Sequence, residues 1–334
     1  MPKIKDAKTF LDLISDEFGD DIVVKDEAND VIEVISTGAL SLDISTGIGG
    51  IPRGKFTEIF GPEGSGKTTL ALSVTKQALI KYPELKVLYV DVENQLDLNY
   101  ARALVENLDT SRFIIVQPET TEQAFQLIEK ATVTQEFSMI ILDSVGALSP
   151  EKEKEDEFTD SNVALTARAV TKFLRRDAFA IRTNNIAFIL INQVRDKIGA
   201  FMPTFETPGG HALKHYASIR IQLSVIDKIK KGDNVLGIQT KFVTKKNKLS
   251  APLKEALFPI IFGKGIDTYR DAIQFSQKLG VTKKRGDLLI FEDVELGKGV
   301  TEATAYLQAN PELLDKMAKV CYTIVKDQTP KGEE

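Results

Sequence analysis

Eight residues, Gly61-Pro62-Glu63-Gly64-Ser65-Gly66-Lys67-Thr68, constrain this chain more than any other stretch. They satisfy the spacing G-x-x-x-x-G-K-[ST] at every fixed position. Backbone N–H groups can cradle a polyphosphate only where side chains leave room. The pattern therefore predicts that Gly61, Gly64 and Gly66 keep the approach open. Lys67 then sets a point charge on the β and γ phosphates, and the Thr68 hydroxyl is placed to ligate Mg²⁺. A helix should begin at once, with its N-terminus facing the phosphates. The flanks agree: Phe56–Phe60 alternates like a strand, and Leu70, Ala71, Val74 and Ala78 recur at helical spacing after the turn.

Around this turn the pattern alternates between strands and helices from Ser36 to about Gly263, which predicts an α/β core with a mostly parallel sheet and helices on both faces. The strands are expected at Phe56–Phe60, Val87–Val92, Phe113–Gln117, Met139–Asp143 and Ile186–Asn192, with helices at Thr121–Thr132 and Ala164–Thr183. After Lys214 the texture becomes β-rich, over Ile219–Val225, Val235–Val243 and Leu257–Phe262. A smaller α+β unit follows, with helices at Tyr269–Leu279, Thr301–Gln308 and Pro311–Val325. Residues 1 to about 20 read as an amphipathic helix, and Val31, Ile32, Val34 and Ile35 as a short strand. The resulting division is 1–35, 36–264 and 265–334.

Three apolar strands end in polar residues, where the ligand crevice of an open α/β sheet lies. Met139-Ile140-Ile141-Leu142-Asp143 places an acid that can hold Mg²⁺, in preference to one that only caps a turn. Val87–Glu93 brings Glu93 there, either as the group that deprotonates attacking water or as a solvated loop glutamate. Ile189-Leu190-Ile191-Asn192-Gln193 offers Gln193 as a sensor of the γ-phosphate. The long loop from Arg195 to Gly210 mixes cations with Phe201, Met202 and Phe205, which suits single-stranded nucleic acid or else a loop without ligand. Arg168, Lys172, Arg175 and Arg176 form a basic stripe on the preceding helix, able to track phosphates or simply face solvent. The run Glu151–Glu157 reads as a solvated segment. Lys245-Lys246-Asn247-Lys248 is either surface decoration or a group that completes an ATP site across a subunit boundary.

Composition excludes several classes. The 334 residues are 43% hydrophobic and 27% charged, ordinary for a globular protein. A net charge of -5 gives no global attraction to nucleic acid, so any such binding must be local. One cysteine, Cys321, and two histidines, His211 and His215, leave no disulfide framework and no Cys- or His-rich metal centre. The N-terminus lacks a signal-like apolar core and no apolar run approaches a bilayer span. The expected location is therefore the cytoplasm, with no membrane association.

Together these residues resemble the bacterial RecA recombinase family over nearly the whole chain. The resemblance is carried by Thr37-Gly38-Ala39-Leu40-Ser41-Leu42-Asp43, by Gly61 to Thr69, by Ile191-Asn192-Gln193 with Arg195, and by Lys246-Asn247-Lys248 with Ala251-Pro252. Ala212–Arg220 is similar to the family's signature nonapeptide. The resemblance implies an ATP-dependent homologous recombinase that forms a helical homo-oligomeric filament on single-stranded DNA, pairs it with a duplex and acts in DNA repair and the SOS response. It leaves open a self-cleaving repressor as a regulatory partner. ATP and Mg²⁺ would be held by Gly61, Pro62, Glu63, Gly64, Ser65, Gly66, Lys67, Thr68 and Thr69, with Asp143 on the metal and Asp97 and Tyr100 at adenine. Glu93 would be the catalytic base, Gln193 the link to the DNA loops, and Lys246 and Lys248 would reach a neighbour's γ-phosphate. The segments 153–162 and 195–210 would be DNA-binding loops, with Arg195, Lys197, Gly199, Gly209 and Gly210 in the second and Arg168 and Arg175 on the DNA side. The N-terminal helix and strand would dock on the next subunit. The unit after Gly265, with Lys283, Lys284, Arg285 and Lys298, would help duplex DNA approach.

Departures from the family pattern include His215 in place of a bulky apolar residue and Asn94 in place of a histidine. The second loop is one residue short and carries Pro208, and a long acidic tail is absent. Two rivals are a ring-forming motor on the same core, which should lack the N-terminal segment and the nonapeptide, and an ATP-gated mediator, which intact Lys67, Glu93 and Gln193 argue against.

Overall fold

The computed structural model describes residues 16–17, 32–105, 109–152, 163–196 and 205–328. Two compact units divide the chain, Met1–Ile32 and Glu33–Glu334. In the first, only helical Asp16–Glu17 and Ile32 are described, so the expected N-terminal helix lies almost wholly outside the described residues. The second unit holds all the other described residues.

Its elements run β1 (Val34–Ile35), α1 (Leu40–Thr46), β2 (Ile51–Pro52), β3 (Lys55–Gly61), α2 (Lys67–Lys81), β4 (Lys86–Asp91), α3 (Leu98–Leu104) and β5 (Phe113–Val116). Next come α4 (Thr121–Val133), β6 (Phe137–Asp143), α5 (Val163–Thr183), β7 (Ala187–Gln193), the short strands β8 (Arg195–Asp196) and β9 (Phe205–Glu206), and α6 (Gly210–Tyr216). The chain continues through β10 (Ile219–Lys231), β11 (Asn234–Asn247), β12 (Glu255–Ile261), β13 (Gly265–Ile266), α7 (Thr268–Lys278), β14 (Thr282–Arg285), β15 (Leu288–Phe291) and β16 (Val294–Lys298). It ends in α8 (Gly299–Ala309) and α9 (Pro311–Gln328).

One sheet orders its strands β13-β12-β11-β10-β3-β7-β6-β4-β5. Pairing is parallel from β10 through β5 and antiparallel from β10 to β13. The apolar runs of the central strands are continuous because both faces are covered, and successive side chains go to opposite sides. Val87, Tyr89, Met139, Ile141, Ile189 and Ile191 join Leu70, Leu72, Val74 and Leu79 of α2 in one core. Leu88, Val90, Ile140, Leu142, Phe188 and Leu190 join Ile128 of α4 and Phe173 and Leu174 of α5 in the other. Phe125 stacks on Phe173 with ring centroids 4.5 Å apart, fixing α4 against α5.

Among the described residues, the strand expected over 31–35 holds at Val34–Ile35, which pairs antiparallel with Ile51–Pro52 of the same chain. The β-meander strands are much longer than the apolar runs alone suggested, because β10 and β11 continue as a charged hairpin to Lys231 and Asn234. The C-terminal elements bury Ala272, Ile273, Phe275, Leu289, Phe291 and Leu307 together with Leu40 and Ile44 of α1, so they share a core with the segment just ahead of the phosphate-binding turn.

Candidate active site

The turn between β3 and α2 opens into a cleft of about 440 Å³ at the carboxyl ends of the strands. Its glycines serve the fold in a way the motif alone did not convey. A Cβ on Gly61 would stand 2.3 Å from the Leu223 carbonyl oxygen, and one on Gly66, at φ 91°, would stand 2.3 Å from Ile260 Cδ1. At Gly64 such a Cβ would meet nothing within 4 Å, and the residue is required there by its φ of 68°. Gly61 and Gly66 thus also leave room for Leu223 of β10 and Ile260 of β12. The Lys67 ammonium donates to the carbonyls of Gly61 (3.0 Å) and Pro62 (2.8 Å). Burial pulls its pKa below the usual lysine value, against the charges of Asp143, Glu93 and Glu63.

Asp91 and Asp143 are register partners on adjacent β4 and β6, so two acids meet at the cleft. Asp143 accepts from Thr68 Oγ1 at 3.1 Å and from the buried Tyr89 hydroxyl. Burial pushes Asp143 up to about 6, opposed by the Tyr89 hydrogen bond and reinforced by Glu93. Thr68 and Asp143 are hard oxygen donors held side by side. That fits Mg²⁺, which takes one or two protein oxygens plus phosphate and water. Asp91, 2% exposed, is bound by Gln117 Nε2 at 2.9 Å and by the N–H groups of Gln95 and Leu96.

Glu93 Oε1 accepts from the Ser144 hydroxyl and from Gln193 Nε2 at 2.9 Å, while Oε2 has no protein partner among the described residues. A carboxylate tied by one oxygen and open at the other is arranged to accept a proton. Tyr100 lines the cleft and shares a 3.0 Å hydrogen bond with Thr69. Asp97 caps α3 through the N–H groups of Asn99 (2.9 Å) and Tyr100 (3.1 Å), and is not on the cleft wall. Ser144, Tyr89 and Asp91 went unnoticed as site residues. For Asp91 the signal was present, as an acid ending an apolar strand.

Gln193 pairs in register with Gly61, and its neighbour Asn192 faces the other way, into a buried polar chain. Asn192 Nδ2 donates to Glu58 Oε1 at 3.0 Å and to the Pro208 carbonyl at 2.8 Å. Glu58, 0% exposed, pairs with Arg220, whose Nη2 reaches Thr207 Oγ1 at 3.3 Å. The loop after β7 is therefore anchored at both ends. Arg195 pairs with Glu206 in the short β8–β9 ladder, and Gly209, at φ 94°, starts α6 ahead of Gly210. Lys197, Gly199 and the stretch 153–162 lie outside the described residues.

Lys246 and Lys248 are not among the residues lining the cleft of their own chain. Lys246 donates to the carbonyls of Lys214 and His215 (3.0 Å to the latter), and Lys248 to that of His215 at 3.1 Å, all at the end of α6. Burial lowers Lys246 to about 8, helped by the charges of Lys248 and Arg220. Arg168 and Arg175 are exposed on α5, two turns apart. The predicted stripe is incomplete, since Arg176 is paired with Glu129. Lys283, Lys284, Arg285 and Lys298 are exposed on β14 and β16. Among the described residues no helix is long and apolar enough to cross a membrane.

A phosphate-binding turn between a central strand and a helix, sharing its cleft with acids that end two further parallel strands of the same sheet, defines a P-loop nucleotide-binding α/β protein. The family model for the RecA N-terminal domain matches residues 5–267. Protein RecA of Thermus aquaticus is 40% identical over 337 residues, 99% of this chain and 98% of the relative. Protein RecA of Clostridium botulinum (strain Eklund 17B / Type B) is 40% identical over 314 residues, 93% of this chain and 87% of the relative. A crystal structure of the RadB recombinase superposes with a TM-score of 0.53 at 26% identity, covering 70% of this chain and 98% of that one. This chain belongs to the RecA family.

Proposed function

We propose that this chain hydrolyses ATP in the β3–α2 cleft and uses that cycle to assemble a filament on single-stranded DNA, pair it with a homologous duplex and exchange strands. As a RecA-family protein it is an ATP-dependent recombinase of DNA recombination and repair. The N–H groups of the turn and Lys67 hold the polyphosphate, with Lys67 exchanging loop carbonyls for phosphate oxygens. Thr68 and Asp143 hold Mg²⁺, which offsets charge on the phosphates. Glu93 takes the proton of the attacking water through Oε2. Lys246 and Lys248, which do not line their own cleft, reach the γ-phosphate of a neighbouring subunit, so hydrolysis depends on assembly. The segment 1–35 docks on the next subunit, 36–264 is the ATPase core, and 265–334 receives duplex DNA together with the α5 arginines. The setting is cytoplasmic.

The observation that carries this reading is the end of β7. Gln193 contacts the base Glu93 while the adjacent Asn192 holds Pro208 at the foot of the second loop. One strand end thus joins the hydrolytic centre to the loop proposed for DNA. The test is ATP hydrolysis with Mg²⁺, with and without single-stranded DNA. At least about tenfold stimulation is expected, and Gln193→Ala, which also loosens Glu93, should lower the DNA-stimulated rate far more than the basal one. Hydrolysis indifferent to DNA in the unmodified protein would overturn the recombinase mechanism.

A further inference from the structure

A second cleft, of about 640 Å³, lies between the β10–β11 hairpin, β12 and α7. None of its lining residues borders the cleft of the phosphate-binding turn. The two are nonetheless linked through β11: Ile238 lines the first and the next residue, Gln239, lines the second, on opposite faces of the sheet. The second cleft is strongly cationic. Lys228, Lys230, Arg270 and Lys278 line it, and its one acid is Asp227. Lys278 also lies in the field of Glu255, which is itself bound to Lys241.

Two of its polar atoms are buried without a partner, Arg270 Nε and Gln274 Oε1. Arg270 has no ion pair among the described residues, and its backbone is fixed by the cap on Asp267 (3.0 Å). A buried guanidinium N–H and a buried amide oxygen left unmade are costly, so both side chains gain by turning toward a ligand in the cleft they line. Guanidinium geometry matches phosphate. Glutamine amides, each offering a donor and an acceptor, match the edge of a nucleobase. Phe275, Leu257 and Ile226 give the same cleft apolar walls for a flat ring.

We propose that this cleft is a nucleoside monophosphate site, with the phosphate on Arg270 and the surrounding lysines, and the base edge on Gln239 and Gln274. Among its lining residues there is no glycine turn like the one that cradles a polyphosphate, so a single phosphate with its base is the unit it fits. Occupancy would bear on β11, which also walls the ATP cleft. This site does not depend on the proposed strand-exchange activity.

The experiment is equilibrium dialysis of the full chain carrying Lys67→Ala, which disables the phosphate-binding turn, against radiolabelled deoxyadenosine monophosphate. Saturable binding of one nucleotide per chain is expected, weakened at least tenfold by Arg270→Ala. Lys278→Ala, at an exposed position, should weaken it about threefold with unchanged melting temperature. Adenosine and inorganic phosphate should each bind at least tenfold more weakly than the nucleotide. The proposal is overturned by absence of saturable binding, or by binding unchanged in both variants. Inorganic phosphate binding as tightly as the nucleotide would reduce the cleft to an anion site and overturn it too. Displacement by a short single-stranded oligonucleotide at lower concentration than by the free nucleotide would assign the cleft to a DNA strand instead.

Discussion

Glu93 shows how a residue's role depends on what surrounds it. In the sequence it is the acid that ends an apolar strand, equally suited to solvent. In the structure its Oε1 is fixed by Ser144 and by Gln193 at 2.9 Å. A base held in this way is expected to act on water bound to the γ-phosphate, so Glu93→Gln should retain ATP binding while lowering kcat by about 10²–10⁴-fold. Nucleotide affinity measured beside turnover separates the two effects. Ser144→Ala removes only an orienting hydroxyl. It should lower kcat by about tenfold with KM nearly unchanged, and the KM-against-kcat split checks this. Ser144 was not legible as a functional residue because its role is a contact across 51 positions of sequence, made by the ends of β4 and β6.

At the scale of elements, the end of α6 and the end of β11 explain the basic cluster. Sequence left Lys245-Lys246-Asn247-Lys248 divided between surface decoration and a shared site. The fold ties Lys246 and Lys248 to the last carbonyls of α6, where a helix favours cations. Pairing in register then sets Lys246 beside Arg220, and Arg220 beside the buried Glu58 and Asn192. The same elements therefore reach from the foot of the second loop to the proposed trans cation. Lys246 is lowered to about 8, chiefly by burial. A lysine so lowered carries its charge below that value and loses it above. ATP-dependent assembly should therefore weaken as pH rises past about 8, measured by light scattering, and Lys246→Arg should flatten the profile because arginine stays charged. The strands of the parallel core were legible to within a residue or two, since each is a short apolar run. The hairpin of β10 and β11 was not, because its outer half is charged and exposed, and only cross-strand pairing keeps it extended.

Across the whole molecule, α1 is the join between the large sheet and the C-terminal elements. Ser41 donates its N–H to Asp271 of α7 at 2.9 Å and its hydroxyl to the same carboxylate. Asp43, two residues on, accepts from the Thr37 N–H and hydroxyl, each at 2.7 Å. Both carboxylates are buried, and burial raises each to about 7, with Asp43 adding to the effect on Asp271. An acid whose folded pKa lies above its unfolded value binds protons preferentially in the folded state. Its stabilising contribution is full below about pH 4 and is lost as pH rises toward 7. Asp271→Asn should flatten the fall in stability between about pH 4 and 7 and raise stability at pH 8 by about 2 kcal/mol, read from urea unfolding at several pH values.

The sequence by itself determined the phosphate-binding turn, the alternation that gives a parallel sheet covered on both faces, and the strand ends where the acids gather. These depend on local spacing and on side-chain period, which neighbouring residues carry. Only the tertiary structure decided that Asp97 caps a helix, that Gly61 and Gly66 make room for Leu223 and Ile260, and that Arg176 is paired with Glu129. It alone showed that Arg270 and Gln274 keep unpaired atoms in a second cleft. Each of these is a contact between distant segments, and nothing in the spacing of one segment specifies which atoms of another will face it.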